Sequence, residues 1–158
     1  MKENFNSTPH RRHNILTGEW VLVSPQRTKR PWQGKKESTN ITEKIAHDPN
    51  CYLCATNTRI NGEVNPDYKN TFVFPNDFGA ILPDSFNFKY DNGLLKAESE
   101  TGICRVICFS PNHSETLPDM EINAIEKVIS VWQKEYLELG AKQEINHVQI
   151  FENKGDIM

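Results

Sequence analysis

Two cysteines three positions apart are the most specific chemical feature of this sequence. Cys51 and Cys54 close the stretch His47-Asp48-Pro49-Asn50-Cys51-Tyr52-Leu53-Cys54, directly after a turn-prone Asp-Pro-Asn. This spacing lets both sulfur atoms of one tight loop point at a single metal ion. The same pair could instead be a redox dithiol, which usually follows a strand and precedes a helix. Because both flanks here are loop-like, metal binding is the favoured interpretation.

One histidine is placed to complete this loop as a ligand. Zinc usually takes four ligands, whose donor atoms lie within about 4 Å of one another. Cys104 and Cys108 share one predicted strand, and four residues of strand span roughly 13 Å, so both cannot reach one ion. They are interpreted as small buried hydrophobic side chains. His113 follows the same strand in a turn and is free to reach a neighbouring loop. The predicted ligands are therefore Cys51, Cys54 and His113, with water or an absent residue as the fourth.

Composition and charge limit the possible classes of protein. The chain has 158 residues, with 37% hydrophobic and 25% charged residues, which is typical of one globular domain. No run approaches the ~18 apolar residues of a membrane span, and no signal-peptide pattern is present, so a cytoplasmic protein is expected. Residues 1–36 hold eight Lys or Arg against two Glu, a net charge of +6 in a chain whose total is −3. Such an arm indicates an anionic ligand, phosphate or nucleic acid, or a solvated basic face.

The pattern of apolar residues predicts an α+β fold with a mostly antiparallel sheet. Strands are predicted at 19–24, 71–74, 103–109 and 147–152, with a further short one at 80–82. The run 103–109 is almost continuously apolar, which predicts a central position in its sheet. One long helix is predicted at about 121–139, between the start signal Pro118-Asp119 and the stop signal Gly140. Its apolar residues share one face, predicted to be core: Ile122, Ile125, Val128, Ile129, Trp132, Tyr136 and Leu139.

Nine motifs together resemble one enzyme family. They are, in chain order, His10-Arg11-Arg12, Leu16-Thr17-Gly18-Glu19-Trp20, Val23-Ser24-Pro25, Arg27-x-x-Arg30-Pro31-Trp32, His47-Asp48-Pro49-x-Cys51-x-Leu53-Cys54, Asn65-Pro66-Asp67-Tyr68, Phe74-x-Asn76-Asp77-Phe78, Arg105-Val106-x-Cys108-Phe109-Ser110-Pro111-x-His113 and Phe151-Glu152-Asn153-Lys154-Gly155. In this order they resemble galactose-1-phosphate uridylyltransferase, from about residue 9 to residue 158.

The resemblance implies a histidine-triad-like fold, a half-barrel of antiparallel strands, and a homodimer. It implies a cytoplasmic enzyme of galactose metabolism, with UDP-glucose and galactose 1-phosphate as substrates. UDP-glucose gives its UMP to a histidine, and galactose 1-phosphate then takes it, which is covalent catalysis. No nucleic acid or membrane partner is implied.

The resemblance also assigns roles to individual residues. Cys51, Cys54 and His113 match structural zinc ligands. Arg27 and Arg30 match phosphate contacts that reach over from the partner subunit, as the bidentate guanidinium suits. The remaining matches are contacts to the nucleotide or to the transferring phosphate: Ile60, Asn76, Asp77 and Asn153.

The chain departs from the family pattern at its end. In the family, a His-Pro-His segment follows the Glu-Asn-Lys-Gly strand and supplies the fourth zinc ligand and the nucleophile. No His-x-His occurs in these 158 residues, so the nucleophilic histidine is expected beyond Met158. The resemblance therefore implies that residues 1–158 are the N-terminal part of the uridylyltransferase domain, with the C-terminal half and its second metal absent. Such a chain is expected to be inactive by itself and to bind zinc weakly.

Two other interpretations remain open from the sequence. A different histidine-triad nucleotidyltransferase or hydrolase would share the fold, and its hydrolases carry a His-x-His-x-His pattern. A zinc-stabilised binding module would need a second ligand pair at zinc-finger spacing.

Overall fold

This computed structural model describes residues 7–30 and 44–152, and all strands and helices given below lie within these ranges. Six strands and one α-helix follow in chain order, and their bounds are β1 His10–His13, β2 Trp20–Val23, β3 Phe72–Pro75, β4 Lys89–Asn92, β5 Leu95–Ser99, β6 Arg105–Cys108 and α1 Ile122–Gly140. Two short 3₁₀ helices lie at Pro25–Lys29 and Leu117–Asp119. The chain divides into a first unit, residues 1–32 and 75–106, and a second unit, residues 33–74 and 107–158.

The first unit is built on a four-stranded sheet in the order β2-β1-β5-β4. All three pairings are antiparallel, and Ala97 of β5 lies opposite both Arg12 of β1 and Tyr90 of β4. Gly93 begins the two-residue turn of the β4–β5 hairpin with a φ of 60°, a conformation that glycine adopts without steric cost. The two strands of this hairpin were not predicted from the sequence.

The strands that sequence reasoning missed are polar. β1 reads His-Arg-Arg-His and β4 reads Lys-Tyr-Asp-Asn. β1 forms ladders with β2 on one side and β5 on the other, so its backbone bonds are satisfied although its side chains are not apolar. Sheet pairing has here overridden residue propensity.

The second unit contains the helix, and its predicted position is confirmed within one residue. Val128 and Leu139 are buried, and Trp132 meets Phe109 edge-on with ring centroids 6.0 Å apart. Part of the predicted apolar face is exposed, however: Ile122 at 73%, Ile129 at 43% and Tyr136 at 54%. These three residues are seven positions apart, so they form one row along the flank of the buried face. The prediction that the whole stripe is core was wrong.

Three strand predictions also need correction. β6 covers only part of the predicted run and belongs to a two-stranded sheet with β3, so it is not central in its sheet. Residues 80–82 form bends and turns. Residues 147–152 are not in a strand, because no described strand lies beside them to accept their backbone bonds.

The α+β class, the antiparallel pairing and the single long helix are as predicted, and the four-stranded sheet is open at both edges. In the ranges 7–30 and 44–152, no helix has the length and apolar content needed to cross a membrane.

Candidate functional site

The second unit brings the three predicted metal ligands together. One donor atom from each of Cys51, Cys54 and His113 lies within 4.8 Å of the other two. Cys54 Sγ is 3.4 Å from His113 Nδ1. Cys54 is buried, Cys51 is half-buried and His113 is exposed. No other group of three potential ligands of this kind occurs in residues 7–30 and 44–152.

Local turns place the two sulfur atoms. The Asp48 side chain accepts a hydrogen bond from Asn50 N at 2.8 Å, and its carbonyl accepts one from Cys51 N at 3.1 Å. The next turn is closed by Cys54 N, which donates to Cys51 O at 3.2 Å. Leu53 N lies 3.4 Å from Cys51 Sγ and donates to it. These bonds wind residues 48–54, hereafter the Cys loop, so that both thiols reach one point.

His113 reaches this loop because its own turn is bonded to the segment that precedes the cysteines. His113 N donates to Ala46 O at 2.8 Å, and Ser114 Oγ donates to Ile45 O at 2.8 Å. The sequence could place His113 after a strand, but only these long-range bonds bring the imidazole to Cys54.

The donor set fits a tetrahedral metal ion. Two thiolates and one imidazole at normal zinc bond lengths lie about 3–4 Å apart, close to the spacing found here. Burial raises the pKa of the Cys54 thiol, and the nearby Cys51 raises it further. Metal binding to such thiols therefore displaces protons, because the thiolate is the ligand. Three residues leave a fourth coordination position for water or another ligand.

The two other cysteines lie outside this group. Cys104 and Cys108 are free thiols and are half-buried, less enclosed than predicted. Burial raises the pKa of Cys108 to about 11, so its thiol is protonated and unreactive at neutral pH.

Sequence reasoning missed the residues that support the Cys loop. Tyr68 Oη donates to Leu53 O at 2.9 Å, and burial raises the pKa of this phenol. The side-chain amides of Asn57 and Asn65 also bond to backbone carbonyls of the loop. From the sequence, Asn65 was identified only as part of a family motif, although asparagine side chains commonly bond nearby backbone groups in loops and turns.

The first unit holds the predicted nucleotide contacts Asn76 and Asp77 in a loop of residues 76–80, hereafter the nucleotide loop. Asn76 Oδ1 accepts a hydrogen bond from Phe78 N at 2.9 Å, and Asn76 O accepts one from Gly79 N at 3.2 Å. Asn76 N donates to Cys104 O at 2.9 Å. The loop is thus a tight turn in which the Asn76 side chain accepts a hydrogen bond from the backbone.

Two side chains from the segment after β2 hold the far end of this loop. Ser24 Oγ donates to Ala80 O at 2.6 Å. Gln26 Nε2 donates to Gly79 O at 3.1 Å and to Ala80 O at 3.2 Å. Sequence reasoning missed both residues, because a bond across more than 50 positions leaves no local signal.

The remaining predicted contact residues are either exposed on turns and loops or lie outside the described residues. Arg27 and Arg30 share one 3₁₀ turn, with Arg30 N donating to Arg27 O at 3.0 Å, and both are exposed. Ile60 is 43% exposed on a loop of the second unit. Asn153 and the residues after it, up to Met158, lie outside the described residues. The expectation that the nucleophilic histidine lies beyond Met158 therefore stays a prediction.

Comparison with known proteins finds relatives along the whole chain. Residues 1–158 match the family model described as "Galactose-1-phosphate uridyl transferase, N-terminal domain". The galactose-1-phosphate uridylyltransferase of Haemophilus influenzae is 54% identical over 151 residues, covering 95% of this chain and 43% of that protein. The enzyme of the same name from Saccharomyces cerevisiae is 45% identical, covering 98% of this chain and 46% of that protein. The chain therefore spans a little less than half the length of these relatives.

A solved structure described as "Structure of uridylyltransferase" shares the fold, with a TM-score of 0.55 at 18% sequence identity. The likeness covers 82% of this chain and 34% of that chain.

Proposed function

The chain belongs to the galactose-1-phosphate uridyl transferase family, and we propose that it forms the metal-binding and nucleotide-binding part of a UDP-glucose–hexose-1-phosphate uridylyltransferase. The observation that carries the proposal is the match of all 158 residues to the family's N-terminal domain. The grouping of Cys51, Cys54 and His113 in the structure also supports it, because the family resemblance matches these three residues to zinc ligands.

The proposed reaction moves UMP in two steps. A histidine nitrogen attacks the α-phosphorus of UDP-glucose, and the bond to glucose 1-phosphate breaks. The phosphate oxygen of galactose 1-phosphate then attacks the same phosphorus, releasing the histidine and forming UDP-galactose. Splitting one phosphoryl transfer into two in this way is covalent catalysis. The enzyme is proposed to act in the cytoplasm, as a homodimer.

The residues of this chain have distinct proposed roles. Asn76 and Asp77 contact the ribose hydroxyls from the nucleotide loop, and Ile60 gives an apolar contact to the base. Arg27 and Arg30 bind phosphate in the partner's site, and their exposure suits groups that reach outwards. Asn153 contacts the transferring phosphate. Zinc bound by Cys51, Cys54 and His113 would have a structural role, because it would link the Cys loop to the turn after β6.

The histidine that carries UMP is proposed to lie beyond Met158, outside this sequence. His10 is fully buried, with its Nε2 accepting from Arg12 Nε at 2.9 Å. His47 Nε2 is bonded to Ala55 O at 3.1 Å, and His113 belongs to the metal group. His13 is in contact with a tryptophan ring, 5.1 Å between centroids.

Two measurements on the 158-residue polypeptide test the proposal. Equilibrium dialysis should show that UMP binds more tightly than AMP and that Asp77→Ala weakens UMP binding. Equal binding of UMP and AMP would contradict the proposed nucleotide role. Incubation with UDP-glucose labelled at the α-phosphorus should leave no stable label on the polypeptide. Retained covalent label would contradict the placing of the nucleophile outside these residues.

A further inference from the structure

Asn65 is a buried side chain whose amide nitrogen bonds to two backbone carbonyls of the Cys loop. It is 2% exposed. Its Nδ2 donates to Tyr52 O and to Cys54 O, each at 2.9 Å. An amide nitrogen carries two hydrogens, so both are used. The Cys loop is neither helix nor strand, so no helix or sheet bond satisfies these carbonyls. Cys54 O also accepts a turn bond from Asn57 N at 3.3 Å.

Asn57 bonds two carbonyls nearer the start of the Cys loop in the same way. Its Nδ2 donates to Asp48 O at 2.8 Å and to Cys51 O at 2.7 Å. The two asparagines are themselves joined, since Asn65 N donates to Asn57 O at 2.9 Å. Together they bond four carbonyls within the seven residues of the Cys loop.

We propose that Asn65, supported by Asn57, holds the Cys loop in its metal-binding conformation before the metal binds. This inference rests on the metal site proposed above. A free loop would lose backbone entropy in residue after residue when a metal ordered it. Here the two side-chain amides already bond the carbonyls of Cys51 and Cys54. Because these bonds hold the backbone of both cysteines, they also hold the directions of the two Cα–Cβ bonds, and less entropy is lost when the metal binds. Asn65 and Asn57 are positioning residues, because their nitrogens are turned to carbonyls and not to the metal.

Three variants separate this role from general destabilisation. Asn65→Asp keeps the size of the side chain but removes both donors. Asn57→Ala removes the second pair of bonds. Asn70→Ala is the matched control in the same unit, since Asn70 is exposed and its Oδ1 accepts from Lys127 Nζ of α1 at 2.6 Å.

The first readout is metal affinity, measured by competition between the chain and a chromophoric zinc chelator. Loss of a residue that orients metal ligands typically costs about 10–100-fold in affinity, which is the effect expected for Asn65→Asp. Asn57→Ala should fall at the lower end of that range, and Asn70→Ala should stay within about twofold. At saturation with Co²⁺ all variants should show the same thiolate absorption, because the ligands are unchanged. Both loop variants binding zinc as tightly as Asn70→Ala would overturn the proposal.

The second readout needs no metal. Hydrogen exchange in the metal-free chain should be faster for the amides of Cys51, Cys54 and Asn57 when Asn65 is Asp, and unchanged in Asn70→Ala. Equal rates would overturn the proposal.

If circular dichroism shows that Asn65→Asp does not fold, Asn57→Ala is judged by the same two measurements, metal affinity and hydrogen exchange. If the unmodified chain takes up no zinc, the metal site itself falls, and the inference falls with it. If it takes up zinc and the variants do so equally, only the inference falls.

Discussion

The Cys loop and the nucleotide loop are held by the same kind of bond, from very different distances along the chain. Asparagine side chains 6 to 13 residues away bond the carbonyls of the Cys loop. Ser24 and Gln26, 53 to 56 residues away, bond those of the nucleotide loop. The Cys loop is therefore stabilised by its own neighbourhood. The nucleotide loop has turn bonds of its own, but its far end also takes bonds from the segment after β2 and so depends on the sheet that contains β2.

Removing a metal ligand should give the largest effect and should be confined to the Cys loop. Cys54→Ala deletes a buried ligand, and zinc affinity should fall by about two orders of magnitude or more, because ligand binding supplies much of the energy of such sites. Cys104→Ala is the control from the first unit, and its zinc binding should be unchanged. The check is the metal-to-protein ratio after dialysis. Equal loss in both variants would mean that the metal is held elsewhere.

Crowding the nucleotide loop should destabilise the first unit. A Cβ added at Gly79 would lie 2.9 Å from Ile81 O and 3.2 Å from Cys104 Cβ, and backbone cannot move aside easily. Gly79→Ala should therefore lower the free energy of unfolding by about 1–3 kcal/mol, as overpacking does. Gly140→Ala, whose new Cβ has no neighbour nearer than Val148 Cγ2 at 4.0 Å, is the control. Urea denaturation measures both, and equal stabilities would show that the loop can relax.

Cutting the long-range bond should give a smaller effect. Ser24→Ala removes the 2.6 Å bond to Ala80 O and should cost about 1 kcal/mol, the usual contribution of one hydrogen bond. Thr28→Ala removes an exposed hydroxyl that bonds Pro25 O within its own 3₁₀ turn, and its effect should be near zero. Zinc affinity should be unchanged in both. A fall in zinc affinity in Ser24→Ala alone would contradict the independence of the two loops.

Removing the charge of Glu98, a carboxylate of the four-stranded sheet, should give the smallest effect. The hydrogen bond from Arg11, and then that from Lys89, hold the pKa of Glu98 below its ordinary value of 4.5. A depressed pKa adds stability that is complete above pH 4.5 and is lost as the pH falls through the lower folded-state value. Because Glu98 lies near the surface, where solvent screens charges, the contribution is small. Thermal melts of the metal-free chain from pH 7 to pH 3 should show a slightly shallower fall for Glu98→Gln. Identical profiles would show that the pair adds nothing.

Features with a local physical cause were predicted correctly. The helix was found from its apolar spacing, and β2 and β3 from short apolar runs bounded by turn residues. The turn of the Cys loop was predicted because Asp-Pro-Asn before Cys-x-x-Cys favours bonds between near neighbours, such as Asn50 N to the Asp48 side chain and Cys51 N to Asp48 O. These signals are complete within a few residues, so no knowledge of the rest of the chain was required.

Features that depend on a distant partner were missed or wrong. β1 is a strand because β2 and β5 lie on both sides of it, and its polar sequence gives no hint of this. Residues 147–152 have a strand-like sequence but no described strand to pair with. The flank of α1 at Ile122, Ile129 and Tyr136 is exposed, because periodicity defines an apolar face but not the width that is covered.

The sequence by itself therefore determined the Cys-x-x-Cys turn, the long helix and the α+β class, since each follows from the spacing of near neighbours. The sequence also predicted that His113 joins the two cysteines, and the structure brings these three side chains together. Only the tertiary structure decided that Asn57 and Asn65 hold the Cys loop, and that Ser24 and Gln26 hold the nucleotide loop. These contacts depend on where the folded backbone places carbonyls and side chains from separate segments. No local pattern of residues encodes that placement.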